Sequence, residues 1–407
     1  MDHRIDSEYR NIPFSPPDIT DAEIEEVISS LKSGWITTGP KTKQFEQKIA
    51  EYVGTRKAVC LSSATAAMEL TLRILGIGPG DEVITTPYTY TASASVIHHT
   101  GAKIVLVDVS PDSYEMDYDR LAKAINERTK AVIPVDIAGR MCDYDAIYEA
   151  VNSKKGCFRP NNDIQEQFGR VIVLADAAHA FGAERKGKKC GLAADFTCFS
   201  FHAVKNLTTA EGGSVVWRND IGLDDEWLYM QYMLMSLHGQ SKDALTKTQK
   251  GAWEYDIVYP AYKCNMTDVL AGIGLAQLSR YESIMHRRHE IIEMYDSMLL
   301  PSGISSLKHK GDEFISSGHL YLARIPGIGE QERNTIIAEM AEAGVACNVH
   351  YKPLPMMTAY RKLGFDIKDY PNAYKQYENE ITLPLHTLLS DEDAEYVCGK
   401  LLAIIKK

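Results

Sequence analysis

Between residues 58 and 175 the chain returns again and again to short, nearly all-apolar runs. Ala58-Val59-Cys60-Leu61, Glu82-Val83-Ile84-Thr85, Lys103-Ile104-Val105-Leu106-Val107, Ala131-Val132-Ile133-Pro134-Val135 and Val171-Ile172-Val173-Leu174 each read as strands. The stretches between them have helical spacing. One carries Ala66, Leu70, Leu72 and Leu75, another runs from Ala92 to His99, and a third lies between the runs at 103 and 131. Ahead of them, Asp21 to Leu31 predicts an amphipathic helix with Ile24, Val27, Ile28 and Leu31 on one face. Strands without polar alternation, repeated in strand–helix units, predict an α/β protein with a mainly parallel sheet covered on both faces. Ligands of such sheets bind at the carboxyl ends of the strands. Ala64, Tyr88 and Asp176 all follow strand ends, so they can converge.

The pattern changes farther on. Cys198-Phe199-Ser200 and Ser214-Val215-Val216-Trp217 read as two more strands around a polar loop. Asp268 to about Leu300 predicts one continuous helix that crosses to a second domain. That domain would hold a strand at His319–Ala323 and helices at Gln331–Ala343 and Asp391–Ile405. The predicted division is therefore 1–267, an N-terminal segment with the large domain, and 268–407, a linking helix with a smaller C-terminal α/β domain. The polar stretch Asn152 to Gly169 reads as a surface insertion.

Composition narrows the possible functions. A length of 407 residues suits a large domain with an appendage, and 45% apolar content supplies ample core. The net charge of −11 gives no general field for nucleic acid, so an anionic ligand needs local donors. The eight cysteines are scattered without a C-x-x-C pair and read as reduced thiols. The start, Met1-Asp2-His3-Arg4-Ile5-Asp6, has no apolar signal region, and no apolar run is long enough to span a bilayer. The expected location is the cytoplasm.

Two residues then stand out. Lys205 lies on the polar loop just past the strand at 198–200, a poor place for packing and a good one for a site. Asp176 ends the apolar run at 171–175. A loop lysine and an acid at a strand's end suggest pyridoxal phosphate, which takes a lysine at its aldehyde and a carboxylate at its pyridine nitrogen. A helix N-cap is the competing role for Asp176. Ser63-Ala64-Thr65-Ala66 lies between a strand and a helix, where free backbone N–H groups suit a phosphate. Thr65, Ala66 and Ser200 are the candidate phosphate contacts, with ordinary N-capping as the alternative.

These segments occur with Gly34-Trp35-Ile36-Thr37-Thr38-Gly39-Pro40, Pro87-Tyr88-Thr89-Tyr90-Thr91-Ala92, Trp253-Glu254-Tyr255, Tyr262-Lys263-Cys264-Asn265-Met266-Thr267-Asp268, His350-Tyr351-Lys352-Pro353-Leu354 and Leu383-Pro384-Leu385. In that order, and over nearly the whole chain, they resemble the DegT/DnrJ-type sugar aminotransferases. The resemblance implies the fold-type-I architecture of pyridoxal-phosphate enzymes and a homodimer with shared sites. It implies transfer of an amino group from L-glutamate to a nucleotide-linked keto sugar, a 4-keto-6-deoxy hexose in most relatives. Lys205 and Asp176 take the catalytic roles. His179 would lie against the cofactor ring or bind its phenolic oxygen, and Tyr90 would stack on the ring, with Tyr88 competing for that place. Lys263 and Asn265 would reach the partner subunit's site, and Thr37, Thr38, His350 and Tyr351 would contact the sugar nucleotide. Many relatives have Asn and Arg where this chain has Lys263 and Asn265, and Gly where it has Ala64. Two alternatives remain: a sugar dehydratase, whose relatives carry histidine at the lysine position, and a non-catalytic binding or regulatory protein of the same fold.

Overall fold

The computed structural model describes residues 10–242 and 254–406. Trp253 of the Trp253-Glu254-Tyr255 motif and the segment Met1–Asp6 lie outside them. A seven-stranded sheet forms the centre: β1 (Ala58–Leu61), β2 (Glu82–Thr85), β3 (Lys103–Leu106), β4 (Thr129–Ile133), β5 (Ile172–Asp176), β6 (Phe196–Ser200) and β7 (Gly213–Trp217). The spatial order is β1-β7-β6-β5-β4-β2-β3. Only β7 runs against the others, pairing antiparallel with β1 and β6. The other adjacent pairs are parallel, so the expected mainly parallel α/β sheet is present. β4 stops at Ile133 because Pro134 has no N–H for a ladder; the Pro134 carbonyl instead accepts from the Asp176 N–H at 2.9 Å.

Each face of the sheet buries its own cluster. One includes Cys60, Val132, Val173, Phe199 and Phe201, the other Val59, Ala131, Leu174, Phe196 and Trp217. Neighbouring residues of a strand fall in different clusters because side chains alternate across the sheet. Ahead of the sheet run α1 (Asp21–Ser33) and α2 (Pro40–Val53). α3 (Ala64–Ile74) and α4 (Ala92–Thr100) then follow β1 and β2.

Three expectations need correction. The apolar face of α1 does not reach the core: Ile24 is 50% exposed and Leu31 57%, while Glu23 and Ser30 are buried. Second, the helix expected over 268–300 is two helices, α5 (Asp268–Ser279) and α6 (Tyr281–Leu299). They part at Arg280 (φ −115°, ψ 13°), whose guanidinium is held by Glu23 Oε1 at 2.9 Å and the Asp18 carbonyl at 2.5 Å. Third, the stretch 152–169 is not merely a polar surface insertion. It forms a short helix, Asp163–Phe168, and buries Phe158 and Gln165, whose Nε2 donates to the Leu75 carbonyl at 2.9 Å.

The C-terminal part has a three-stranded sheet of β8 (Ser305–Ser306), β9 (Tyr321–Arg324) and β10 (Glu380–Leu383), in that spatial order. α7 (Glu330–Glu342), α8 (Pro371–Tyr377) and α9 (Asp391–Ile405) accompany it. Its core includes Ile291, Tyr295, Tyr321, Ile381 and Val397, and also Ile12 from the start of the chain. No described helix is long and apolar enough to cross a membrane. All eight cysteines are free, and Cys60, Cys142, Cys190, Cys198 and Cys398 are buried.

Candidate active site

Asp176 is the last residue of β5, held between the neighbouring strand ends. Its carbonyl accepts from the Asp136 N–H at 3.0 Å, and the next N–H, of Ala177, donates to the Cys198 carbonyl at 3.0 Å. The carboxylate is buried; Oδ2 accepts from Ser93 Oγ at 2.6 Å and Oδ1 from the Ala178 N–H at 3.2 Å. Burial raises its pKa above the usual aspartate value, against those two hydrogen bonds and the nearby charge of Lys205.

Lys205 stands on the loop leaving β6, with its N–H bonded to the His202 carbonyl at 2.9 Å. It lines the same cavity as Asp176, a space of about 370 Å³. Removal from water lowers its amine to about 8, partly offset by attraction to Asp176. A lysine shifted this way keeps an appreciable neutral fraction near neutral pH, as a nucleophilic amine must.

Of the three phosphate candidates, Thr65 and Ser200 line the cavity. Ser63 caps α3, its Oγ accepting from the Ala66 N–H at 3.0 Å. That N–H is thus already engaged, and Ala66 is not on the cavity wall, whereas Ala64, Thr65 and Ser200 are. The helix start can sit this close to the sheet because residue 213 is glycine: a Cβ there would come within 2.3 Å of the Ala64 nitrogen and 2.7 Å of the Phe199 carbonyl oxygen. An amine, a buried carboxyl and a helix N-terminus packed on a glycine strand fit pyridoxal phosphate, with its aldehyde, ring nitrogen and phosphate respectively.

Tyr90 lines the cavity and is 60% exposed, with its ring 6.0 Å from that of Tyr351. Tyr88 is fully buried behind the wall, and its hydroxyl donates to the His350 carbonyl at 2.9 Å. Of the two competing tyrosines, only Tyr90 has a ring available to a ligand.

His179 is buried on the wall. The Ala138 backbone N–H, which can only donate, reaches His179 Nδ1 at 3.1 Å. Burial, with the charge of Lys205, holds the imidazole pKa well below its ordinary value, so the ring is neutral. A neutral ring that accepts at Nδ1 carries its proton on Nε2. Nε2–H therefore donates to Tyr351 Oη at 3.1 Å, and the Tyr351 hydroxyl keeps its own proton for an acceptor in the cavity. Burial holds Tyr351 protonated. His350 also lines the cavity, its pKa pushed down to about 3 by burial, and its Nδ1 meets Thr382 Oγ1 at 2.9 Å.

Four candidates lie elsewhere. Thr37, Thr38, Lys263 and Asn265 do not line this cavity. They form their own group: Asn265 Nδ2 donates to Thr38 Oγ1 at 2.5 Å, Lys263 Nζ donates to Asn265 Oδ1, and the Thr37 carbonyl accepts from the Asp268 N–H at 3.0 Å.

Asp136 and His319 are among the wall residues that the sequence did not mark. Asp136 is buried, raised to about 7 by burial, and accepts from Tyr144 Oη at 2.9 Å. It follows an apolar strand as Asp176 does, so the same rule could have found it. His319 lies 4.4 Å ring to ring from His179 and meets Asn206 Oδ1 through Nδ1 at 2.9 Å. A lone histidine before a strand carried no such signal. Among the described residues no cluster of His, Cys, Asp and Glu suits a metal.

The chain resembles known proteins along nearly its whole length. Residues 17–402 match the DegT/DnrJ/EryC1/StrS aminotransferase family. The chain is 38% identical to the spore coat polysaccharide biosynthesis protein SpsC of Bacillus subtilis over 403 residues, covering 97% of each chain. It is 36% identical to the UDP-4-amino-4-deoxy-L-arabinose–oxoglutarate aminotransferase of Shewanella sediminis, over 97% of this chain and 98% of that one. The putative sugar aminotransferase Spr1654 of Streptococcus pneumoniae in its PMP form superposes with a TM-score of 0.95 at 56% identity, over 97% of this chain and 99% of that one. A PLP form of the same protein superposes at 0.94. The chain belongs to the DegT/DnrJ/EryC1/StrS family and is a pyridoxal-phosphate-dependent sugar aminotransferase.

Proposed function

We propose that this enzyme transfers the amino group of L-glutamate to the 4-position of a nucleotide-linked keto sugar, as a homodimer with two shared sites. The observation that carries the reading is the single cavity that holds both the lowered amine of Lys205 and the buried carboxyl of Asp176. The names of two relatives support the sugar class: one acts in spore coat polysaccharide synthesis, the other is named for a 4-amino sugar and oxoglutarate. Lys205 also argues against the dehydratase alternative, which carries histidine at that place.

In this reading Asp176, His179, Tyr90, Thr65 and Ser200 hold the cofactor, with the N–H groups of Ala64 and Thr65 at its phosphate. Bound there, pyridoxal phosphate carries the amino group between donor and acceptor and takes up the electrons released when a substrate C–H bond is broken. Lys205 does the proton work. With a pKa of about 8, roughly one amine in ten is neutral at pH 7, and it can accept a proton from a donor carbon and return it to the sugar carbon. Asp176 sets the charge at the ring nitrogen. Tyr351, supplied with a hydrogen bond by His179, donates to a substrate oxygen, while Thr37, Thr38 and His350 are assigned to the sugar nucleotide. Lys263 and Asn265 serve the neighbouring subunit, as a point charge and an amide for its phosphate.

The test is a half-reaction. Enzyme loaded with pyridoxamine phosphate is mixed with 4-keto and 3-keto sugars linked to UDP, dTDP or GDP, and amino-sugar product is read by mass spectrometry. Product from a 4-keto sugar alone is expected. Product from 3-keto sugars alone, or from none of the panel, would overturn the assignment.

A further inference from the structure

Behind the active-site wall is a second cavity, of about 450 Å³. One side carries Tyr114, Ile137 and Arg140 from the large sheet's loops; the other carries Lys308, Arg324 and Gln376 from the C-terminal part. Eleven buried side-chain N or O atoms among the described residues lack a hydrogen-bond partner, and four of them belong to this cavity's lining: Tyr114 Oη, Arg140 Nε and both amide atoms of Gln376. Gln376 is only 1% exposed. A buried amide unpaired at both ends is costly, and folded proteins rarely keep one without a use.

The charges are unevenly committed. Glu115 already accepts from Tyr118 Oη at 2.6 Å and pairs with Arg140 at 3.3 Å and Arg185 at 3.7 Å, and Asp112 pairs with Lys375. Neither Lys308 nor Arg324 forms an ion pair among the described residues; Arg324 donates to Asn379 Oδ1 and the Lys375 carbonyl. The uncommitted charge is therefore positive, beside a neutral amide and a phenol. We propose that this inter-domain cavity binds a small oxyanion on a hydroxyl- or amide-bearing metabolite, and that its occupancy adjusts the active site. The cations take the oxyanion, and Gln376 and Tyr114 read the neutral portion.

The two cavities have no lining residue in common but are lined by chain neighbours, Asp136 on one and Ile137 on the other. Ile137 and Arg140 flank Ala138, whose N–H fixes the His179 ring and whose φ of +55° is uncommon for a residue with a side chain. The Tyr114 ring lies 5.3 Å from Tyr88, which bonds the His350 carbonyl. Arg324 pairs in register with Glu380, whose Oε2 accepts from the His350 N–H at 3.0 Å. A ligand that pulls Tyr114 or Arg324 thus acts through one intervening residue, Tyr88 or Glu380, on His350 of the catalytic cavity.

The experiment uses enzyme loaded with pyridoxal phosphate, so the cofactor's own anion cradle is filled. Inorganic phosphate and malonate are titrated against wild type, Gln376→Leu and Arg324→Gln. At saturation a probe should raise the wild-type melting temperature by on the order of a few degrees. Both variants should lose that rise. A larger response to phosphate identifies a phosphate ester as the ligand class, and a larger response to malonate a carboxylate. Selenate soaked into crystals should give an anomalous peak between Arg140 and Arg324. The bound probe should also change the KM for the amino donor about fivefold or more in wild type and not in Gln376→Leu. No rise in wild type, an undiminished rise in Gln376→Leu, or selenate only in the catalytic cavity would overturn the site. Binding without a change in KM would overturn the coupling. Gln376→Leu removes only an unpartnered amide, so it keeps the test decisive should Arg324→Gln fold poorly.

Discussion

The wall that carries Lys205 and Asp176 and the loop group of Thr38, Lys263 and Asn265 were both marked by sequence motifs, yet they behave differently. In the first, groups distant in sequence meet in one cavity, bury their charge and shift their acidities. In the second, the polar side chains bond to one another, beside the exposed Tyr262 and Ile36 and the exposed face of α1. Groups that meet within one chain show their coupling in their electrostatics. A set that does not line that cavity and lies amid exposed apolar residues is what the proposed role in a second copy's site would require.

Removing the amine is the harshest test of the first group. Lys205→Ala should lower turnover by more than about a thousandfold. Borohydride should fix cofactor to the peptide containing residue 205 in wild type and not in the variant; a label on another lysine would end the assignment. Asp176→Asn comes next, with an expected loss on the order of 3–4 kcal/mol in transition-state stabilisation, read from kcat/KM. Near-normal activity in a folded Asp176→Asn protein would refute its role.

The second group is tested by complementation. Lys205→Ala and a double change at Lys263 and Asn265 should each be impaired as homodimers. Mixed dimers should regain up to about half the wild-type activity, since one site then has its own Lys205 and its neighbour's Lys263 and Asn265 intact. Confirmed mixed dimers without recovery, while each parent still binds cofactor, would return Lys263 to a solvated loop.

The smallest effect is on stability. Burial lowers Lys205 to about 8, below the roughly 10.4 of a free lysine, so the unfolded chain binds more protons between those values. The stability of cofactor-free protein should therefore rise with pH across that window. Lys205→Met should stabilise cofactor-free protein at pH 7 by about 1–3 kcal/mol and flatten the rise. Denaturant melts at pH 7 and 10 decide it, and an unchanged slope would contradict the burial of the amine.

The apolar runs of β1 to β6, the loop lysine after β6 and the acid ending β5 were legible because each is a local signal: an unbroken apolar run, a turn, a charge out of place. The sequence alone therefore determined the strand–helix alternation and, through the order of motifs, the family, and it marked Lys205 and Asp176 as a candidate pair. Tertiary structure decided the rest. It turned α1's apolar face outward because Glu23 and Ser30 meet α5, and it broke the long helix where Arg280 is tied to Asp18 and Glu23. It put the Tyr90 ring on the cavity and buried Tyr88, since two residues along one loop can point to opposite sides of a wall. It also set the proton on His179 Nε2 through an N–H forty-one residues away in sequence. Local patterns can be read along a chain because they depend on neighbours in sequence; burial, tautomer and the sharing of a wall depend on neighbours in space, which only the folded chain brings together.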